Sequence, residues 1–380
     1  MIPLNHNLDS LRRSGIRLYT NLAKTVPDCV MLTIGEPDFD TPEPIKAAAM
    51  TALFQNRTHY APNQGVEGLR KEIAAFETLR GMPCGEENVL VTTGATGALF
   101  TAILGAVNPG EEVIIPTPAF PLYETIVTVA GGVPVLLDMK PDGFQLTEEA
   151  LAKAITPKTK AIILNSPNNP TGAVLSEASL AAVKQAVLGK DIFVICDNVY
   201  QGLSAEKCPD LSLDAELYDQ ILLCQSFSKP YAMTGWRVGY LCGSAEVMAK
   251  FLLLHAAEVA AVPTFLQDAC IEALTVSTAE MAETYARRRG IVCRGLTDMG
   301  LSYPQPKGAF YIFPEISRFG LSDEEFCTRM IQEAAVAAVP GSCFGCPGHI
   351  RISYCCSDER LELGLERMAA FVKKLEAERC

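Results

Sequence analysis

Short apolar runs alternate with longer helical stretches along the chain, and this alternation predicts strands and helices in turn. The short runs are rich in Val, Ile and Leu and end in glycine, proline or polar residues, as buried strands do. Strands are predicted at residues 89–91, 113–115, 161–164, 192–196, 221–224 and 350–354. Helices are predicted at residues 44–54 and 98–107 and from about residue 245 onward. Strands that alternate with helices predict an α/β fold.

Residues 226–240, SFSKPYAMTGWRVGY, follow one of these apolar runs and carry the densest group of candidate binding side chains. Lys229 therefore lies just past a strand end, where open α/β sheets tend to place their ligand sites. Its amine can form an imine with an aldehyde, and Ser226, Ser228 and Arg237 can hold a phosphate. The residue types alone also allow a simpler interpretation, a strand-to-loop turn with a solvated lysine.

Two other strand ends carry candidate groups. Asp197 follows the apolar strand at 192–196, and a carboxylate there is costly to bury unless a cation or the N-terminus of a following helix meets it. Residues 92–97, TTGATG, join a predicted strand to a predicted helix. Such a turn points backbone N–H groups at a phosphate, although many ordinary turns between strand and helix also contain glycine.

The charge balance argues against two classes of partner. The 380 residues carry a formal net charge of −12 and a pI of about 5.0, whereas nucleic acids and anionic membranes require a basic surface. No apolar run approaches the roughly 18 residues of a transmembrane span, and the N-terminal residues lack the apolar core of a signal peptide. We therefore expect a cytoplasmic protein, long enough for two domains, with no nucleic acid or membrane partner.

The 14 cysteines are scattered along the chain. Their spacing does not resemble a secreted disulfide framework, so reduced thiols in the core are expected. Cys343 and Cys346, with His349 nearby, are the pair that comes closest to a zinc site. Zinc needs a second pair or further histidines, and no metal site is predicted.

Several motifs together resemble the class I/II aminotransferases, which are pyridoxal phosphate (PLP) enzymes of fold type I. They are S-x-S-K and G-W-R-x-G-Y within residues 226–240, N-P-T-G at 169–172 and R-I-S at 351–353. A chance match would have to recur in each motif. The resemblance runs from Ser14 to about Arg367 and is nearest to the N-acetyl-diaminopimelate, aspartate and aromatic aminotransferases.

The resemblance implies a large three-layer α/β domain with a mainly parallel sheet at residues 45–285, which binds the cofactor. It implies a smaller α/β C-terminal domain at residues 286–380. Residues 1–44 are expected to form an N-terminal arm and part of the small domain. The order of the strands is implied by the family alone.

The resemblance also assigns the cofactor contacts. It implies that Lys229 forms the Schiff base with PLP and, once freed, transfers the substrate's proton as a base. It implies that Asp197 keeps the pyridine nitrogen protonated, while Asn169 and Tyr200 stabilise the phenolate oxygen and Phe120 stacks on the ring. The residues implied at the phosphate are Ser226, Ser228, Arg237, Ala95, Thr96 and, from the partner subunit of a homodimer, Tyr60. A core phenylalanine, a plain Asn-Pro turn and an exposed turn tyrosine are the alternatives for Phe120, Asn169 and Tyr60.

At the substrate, the resemblance assigns the two-pronged clamp on the α-carboxylate to Arg351, a single arginine in an apolar strand that needs an anion. Gly35, Ile16 and Asn169 are implied to lie beside the substrate. One branch of aspartate aminotransferases has a lysine at the turn that here reads Thr96-Gly97. Its absence argues against a strict preference for aspartate.

The implied activity is ping-pong transamination (EC 2.6.1) between an L-amino acid and a 2-oxo acid such as 2-oxoglutarate. A PLP-dependent C–S β-lyase on the same fold is one alternative. A ligand-sensing domain of a transcription regulator is another, but it needs a DNA-binding domain ahead of the arm. The sequence does not identify the amino donor or acceptor. The basic run at residues 287–289 is expected to be a solvated helix face.

Overall fold

The structure is a computed structural model that describes residues 5–9, 11 and 15–378. Ser14, where the family resemblance begins, and parts of the predicted N-terminal arm lie outside the described residues. Within the described part of the chain, no helix is both long and apolar enough to cross a membrane.

Helices and strands alternate through most of the chain, as the apolar pattern predicts. The α-helices are α1 (Gly15–Ala23), α2 (Glu43–Phe54), α3 (Glu67–Arg80), α4 (Gly94–Ala106), α5 (Leu122–Val129), α6 (Glu148–Ala154), α7 (Glu177–Val187), α8 (Ala245–Val259), α9 (Thr264–Ala273), α10 (Ala279–Asp298), α11 (Asp323–Ala334) and α12 (Asp358–Ala377). The strands are β1 (Val30–Met31), β2 (Val89–Thr92), β3 (Glu112–Thr117), β4 (Val133–Asp138), β5 (Thr159–Asn165), β6 (Phe193–Asp197), β7 (Ile221–Ser226), β8 (Gly239–Cys242), β9 (Tyr311–Ile312), β10 (Val336–Ala337), β11 (Val339–Pro340) and β12 (Ile350–Ser353).

Among the described residues, seven strands form one large sheet in the order β2-β8-β7-β6-β5-β3-β4. All its strand pairs are parallel except those of β8, which runs antiparallel to both of its neighbours. The register sets Asn165 of β5 beside Asp197 of β6, and Asp197 beside Cys224 of β7. The carboxyl ends of three adjacent strands therefore meet at one edge of the sheet, where open α/β sheets bind ligands.

Helices cover both faces of this sheet. Ile162 and Leu164 of β5 pack in a cluster with residues of α2, α3, α6, α7 and α9, whereas Ala161 and Ile163 pack with residues of α4, α5 and α8. Successive side chains of a strand point to opposite faces, so both faces of a central strand are apolar. The three-layer α/β fold is confirmed.

A second, smaller body combines the two ends of the chain. Strands β11, β12 and β9 form an antiparallel sheet, and β1 pairs in parallel with β10, which joins Val30 to Val336. Tyr19 of α1 shares one buried cluster with residues of α10, α11 and α12. The exact domain limits at residues 44 and 285 stay a prediction; α10 runs across the second of them.

Some elements differ from the sequence prediction. Helix α4 begins at Gly94 rather than at residue 98, so the glycine-rich turn is its first turn. The first turn of a helix tolerates such residues because its N–H groups have no partner within the helix. Cys196, Cys224 and Cys242 lie in the core, as predicted, and form no disulfide within the described part of the chain.

Candidate active site

Lys229 follows β7 and extends its amine toward the loop after β1. The Lys229 Nζ donates to the carbonyl oxygen of Gly35 at 2.5 Å and lies 5.9 Å from the ring centre of Phe310. Part of the side chain is exposed, but protein surrounds the amine. This burial lowers the pKa of Lys229 to about 8, while the nearby Cys355 and Glu36 side chains oppose the shift. A substantial share of the amine is therefore neutral near pH 8, as a base or nucleophile requires.

A group of phosphate-type ligands lies beside Lys229. The Arg237 guanidinium donates to the main-chain oxygen of Thr234 at 3.0 Å and reaches Ser228 Oγ at 3.5 Å. It also packs on Gly94, where an added Cβ would lie 2.9 Å from the Arg237 Nη2. Gly94 opens α4, so the first N–H groups of this helix, including those of Ala95 and Thr96, lie next to the guanidinium. A cation beside a helix N-terminus is suited to an anion such as phosphate.

Ser226 completes this group from the end of β7. Its Oγ donates to the Val238 carbonyl at 3.3 Å and accepts the Ser228 N–H at 3.0 Å. The structure thus brings together the predicted phosphate residues Ser226, Ser228, Arg237, Ala95 and Thr96 within one protomer.

Asp197 ends β6 with its carboxylate almost completely buried, at 4% exposure. The Tyr123 hydroxyl donates to Asp197 Oδ2 at 2.5 Å, and the Val199 N–H approaches Oδ1 at 3.5 Å. Burial raises the pKa of Asp197 to about 6, although the Tyr123 hydroxyl, the Val199 N–H and the Lys229 charge all oppose that shift. No α-helix begins directly after Asp197; the next element is a 3₁₀ turn at Gln201–Leu203. Asp197 therefore does not cap an α-helix, and among the described residues no cationic side chain lies within hydrogen-bond distance of its carboxylate.

Asn169 and Tyr200 face each other next to this carboxylate. The Asn169 Nδ2 donates to the Tyr200 hydroxyl at 3.4 Å, and that hydroxyl lies 3.1 Å from the hydroxyl of Tyr311. The Asn169 backbone N–H donates to Asn165 Oδ1 at 2.8 Å. Burial raises the pKa of Tyr200 well above its usual value, so its hydroxyl stays protonated as a hydrogen-bond donor.

Arg351 of β12 is a charged side chain that is buried in the core. It is 1% exposed, and its two terminal nitrogens donate to Asn169 Oδ1 at 2.9 Å and to the Thr33 carbonyl at 2.7 Å. Tyr311 and Phe344 lie against its guanidinium, with ring centres at 4.5 and 4.9 Å. In the described part of the chain, no carboxylate pairs with Arg351, and its Nε has no hydrogen-bond partner. A buried cation without an anion is costly, so the site suits a carboxylate that comes from outside.

The loop at residues 33–42 connects Arg351 to Lys229. The Gly35 carbonyl oxygen accepts the hydrogen bond of the Lys229 amine. A Cβ on Gly35 would collide with the Tyr311 hydroxyl. Ile16 is half-buried and packs against the cluster that contains Phe344. The loop therefore contacts both charged side chains, through the Thr33 carbonyl at Arg351 and the Gly35 carbonyl at Lys229.

The expectation of a solvated face at residues 287–289 is wrong for Arg288. Its guanidinium is buried and grips both Asp38 carboxylate oxygens, at 2.7 and 2.8 Å, while its Nε reaches Asp358 at 3.2 Å. The side chain thus ties the Gly35 loop to α10. Asp38 lies 250 positions away in the sequence, so local charge pattern could not reveal the pair.

The two remaining predicted residues, Phe120 and Tyr60, differ in their exposure to solvent. Phe120 is half-buried, and the edge of its ring meets Tyr123 at 5.9 Å between centres and 85° between planes. Tyr60 is 94% exposed in the single protomer. Within one chain, Tyr60 is therefore a surface residue.

Sequence reasoning missed four residues that shape the site. They are Tyr123, Tyr311, Phe344 and Thr33. Each resembles an ordinary core or loop residue in the sequence, and no spacing rule links it to its partner. Cys346 Sγ lies 3.7 Å from His349 Nδ1. No group of three His, Cys, Asp or Glu suited to a metal occurs among the residues that the structure describes.

The arrangement suits an aromatic aldehyde that carries a phosphate. Lys229 provides an amine that is shielded from solvent, and Asp197 provides a buried carboxylate for a ring nitrogen. The start of α4, together with Arg237, provides a phosphate site. Arg351 adds a place for a substrate carboxylate. Pyridoxal phosphate has all the complementary groups.

Comparison with known proteins agrees with this geometry. Residues 27–368 match the family described as aminotransferase class I and II. The chain is 38% identical to the probable N-acetyl-LL-diaminopimelate aminotransferase of Bacillus subtilis, over 98% of this chain and 97% of that protein. It resembles the solved aspartate aminotransferase from Thermus thermophilus with maleate, with a TM-score of 0.92, 36% identity and coverage of 97% of this chain and 100% of that one. The aromatic aminotransferase from Pyrococcus horikoshii gives a TM-score of 0.87 at 39% identity, covering 94% and 99% of the two chains.

Proposed function

The chain belongs to the class I and II aminotransferases, which use pyridoxal 5′-phosphate, and from this we propose that it moves an amino group from an L-amino acid to 2-oxoglutarate. The observation that carries the proposal is the proximity of three buried charged groups: the Lys229 amine interacts electrostatically with Asp197 and with Arg351, and Arg351 has no carboxylate partner among the described residues. The proposed kinetics are ping-pong.

When bound, the cofactor supplies an aldehyde carbon that reacts with amines and a ring that takes up electrons from the substrate's α-carbon. Lys229 holds the cofactor at rest. Once displaced, the Lys229 amine would serve as the base that takes the proton from the substrate α-carbon. The lowered pKa of Lys229, about 8, keeps enough of the amine neutral for this work.

Other residues hold and polarise the cofactor in this proposal. Asp197 accepts the ring N–H, and its charge in a dry pocket is a strong electrostatic contribution. Asn169 and Tyr200 direct an amide and a hydroxyl at the phenolate oxygen. The first N–H groups of α4, together with Ser226, Ser228 and Arg237, would hold the phosphate.

Arg351 is proposed to bind the α-carboxylate that all amino-acid substrates share. Asn169 and Thr33 hold the guanidinium in place, while Tyr311 and Phe344 cover its faces. Gly35 and Ile16 border the same space. Because a side chain at Gly35 would collide with Tyr311, glycine is needed at that position.

A homodimer that shares its active sites is part of the proposal. Tyr60 is fully available to a partner, and α2 exposes Met50, Leu53 and Phe54, with Phe54 at 83% exposure. We place Tyr60 at the phosphate of the partner subunit.

Mixing inactive Lys229→Ala protomers with inactive Tyr60→Phe protomers tests this, because a mixed dimer regains one intact site. No recovery of activity or of cofactor affinity, despite proven mixing, would contradict a shared site. A cytoplasmic location belongs to the same proposal.

The donor is proposed to have a long or aromatic side chain rather than to be aspartate alone. The first turn of α4 contains Thr96 and Gly97 and no lysine that could bind the side-chain carboxylate of aspartate. The relatives named above are N-acetyl-diaminopimelate, aspartate and aromatic aminotransferases.

A panel of amino donors with 2-oxoglutarate tests the proposal. Each donor should give its 2-oxo acid and glutamate in equal amounts, with parallel double-reciprocal plots as ping-pong kinetics require. Lys229→Ala is the control and should give neither product. Release of ammonia, pyruvate and a thiol from cystathionine without any oxo acid would instead identify the β-lyase alternative.

A further inference from the structure

We propose that Tyr123 is a positioning residue that keeps Asp197 ionised and aimed while supporting Phe120 on the adjoining side of the same pocket. Neither role follows from the motifs, and both rest on the function proposed above. Tyr123 does not itself touch the reacting atoms; it acts through its two neighbours.

The Tyr123 hydroxyl makes the short hydrogen bond to the Asp197 side chain. Tyr123 lies in the first turn of α5, and its Oη is 2.5 Å from Asp197 Oδ2. Among the residues that the structure describes, the other carboxylate oxygen has the Val199 N–H, at 3.5 Å, as its one hydrogen-bond partner. Asn165 holds the Asp197 main-chain oxygen at 2.9 Å and does not contact the carboxylate. Both Tyr123 and Asp197 are buried, so water does not replace a lost partner.

The ring of the same tyrosine supports Phe120. The two rings meet edge to face, 5.9 Å apart and at 85°, which is a favoured aromatic geometry. Phe120 is the residue proposed to cover the cofactor ring, and Asp197 is proposed to bind its nitrogen. One buried side chain therefore fixes the relative position of both contacts.

The electrostatics around Asp197 make the hydroxyl important. Burial raises the pKa of Asp197 to about 6, and the opposing influences are the Tyr123 hydroxyl, the Val199 N–H and the Lys229 charge. Tyr200, Cys196 and Cys224 also interact electrostatically with Asp197. Burial raises the pKa of each of these three well above its usual value, so all three are neutral at pH 7 and do not compensate.

Removal of the Tyr123 hydroxyl should raise the pKa of Asp197. A carboxylate that loses a donor is less stable as an anion, so the pKa of Asp197 rises above 6 and enters the neutral range. At pH 6.5 a larger share of Asp197 is then protonated and unable to accept the ring N–H. As the pH rises through the new pKa, the carboxylate forms again and the cofactor affinity recovers.

Tyr123→Phe tests this with the dissociation constant of pyridoxal phosphate, measured by absorbance on cofactor-free protein between pH 6 and 9. The expected loss is about tenfold near pH 6.5, the effect of one hydrogen bond to a charged group, and it shrinks toward pH 9. Tyr240→Phe is the matched control. The Tyr240 hydroxyl also donates to a buried carboxylate, Glu77 at 2.6 Å, but Glu77 makes none of the contacts described for the site. This control should lower stability without any pH-dependent loss of cofactor.

A second measurement does not require the cofactor. Carbon-13 NMR of the Asp197 side chain, assigned with Asp197→Asn, should show an upward pKa shift in Tyr123→Phe. Replacing Tyr123 by 3-fluorotyrosine, a stronger donor of nearly the same shape, should shift it downward. An unchanged Asp197 titration, or an equal loss of affinity at every pH, would overturn the proposal. If wild type binds no pyridoxal phosphate at all, the proposed function fails, while the titration still decides the link between Tyr123 and Asp197.

Discussion

Arg351→Lys tests the assignment of the substrate's α-carboxylate most sharply. The arginine uses its two terminal nitrogens on different acceptors, Asn169 Oδ1 at 2.9 Å and the Thr33 carbonyl at 2.7 Å. A lysine keeps the charge but offers one nitrogen, so it cannot hold this position and also present two parallel donors to a carboxylate. It also loses the flat contact with the rings of Tyr311 and Phe344.

The size of the effect follows from the loss of one charge-assisted hydrogen bond. Such a bond contributes about 1.5–3 kcal/mol, which corresponds to a fall in kcat/KM of roughly 10- to 150-fold. Because every amino acid has the α-carboxylate, the factor should be similar for aspartate, glutamate, phenylalanine, alanine and N-acetyl-diaminopimelate. Arg360→Lys is a suitable control, since Arg360 clamps Asp28 on the surface, and it should leave kcat/KM unchanged. If Arg351→Lys harms only the dicarboxylic donors, Arg351 binds the side-chain carboxylate and the assignment is wrong.

Three further outcomes are expected. Asp197→Ala should slow the donor half-reaction by orders of magnitude in single-turnover experiments, because it removes the charge that stabilises the developing electron density; a near-wild-type rate would show that the carboxylate is only structural. Phe344→Leu should raise KM for every donor by several-fold while kcat changes little, since one aromatic face of the buried guanidinium is lost; a change confined to kcat would contradict this. Lys229 has a pKa of about 8 when folded, against 10.5 ordinarily, so the unfolded chain binds more protons between those values and stability rises with pH there. In cofactor-free protein, the free energy of unfolding of wild type relative to Lys229→Met should therefore increase from pH 8 to 10.5, and a flat or falling difference would refute the shift.

The sequence predicts the residues whose role is set by local position. Lys229 and Asp197 directly follow apolar strands, and parallel strands bring such ends together at one edge of the sheet. Arg351 could be singled out because a charge inside an apolar strand needs a partner. The α/β alternation predicted the fold for the same reason, since buried strands have a clear local pattern.

The residues that were missed depend on contacts between distant segments. Tyr123 is 74 positions from Asp197, and Thr33 is 318 positions from Arg351. Arg288 was expected to be solvated, because a run of three arginines on a helix does not reveal a carboxylate 250 positions away. The short antiparallel strand β8 was hidden for another reason. It starts two residues after Arg237, within a segment whose polar motif dominates the local pattern.

Reduction of the intact protein with borohydride, followed by peptide mass spectrometry, tests the central claim most directly. The account predicts that the purified protein absorbs visible light and that reduction fixes one pyridoxal phosphate on the amine of Lys229. Lys229→Ala should bind the cofactor without this covalent label and should have no transaminase activity. A protein that contains no pyridoxal phosphate, or a label on a different lysine, would contradict the account.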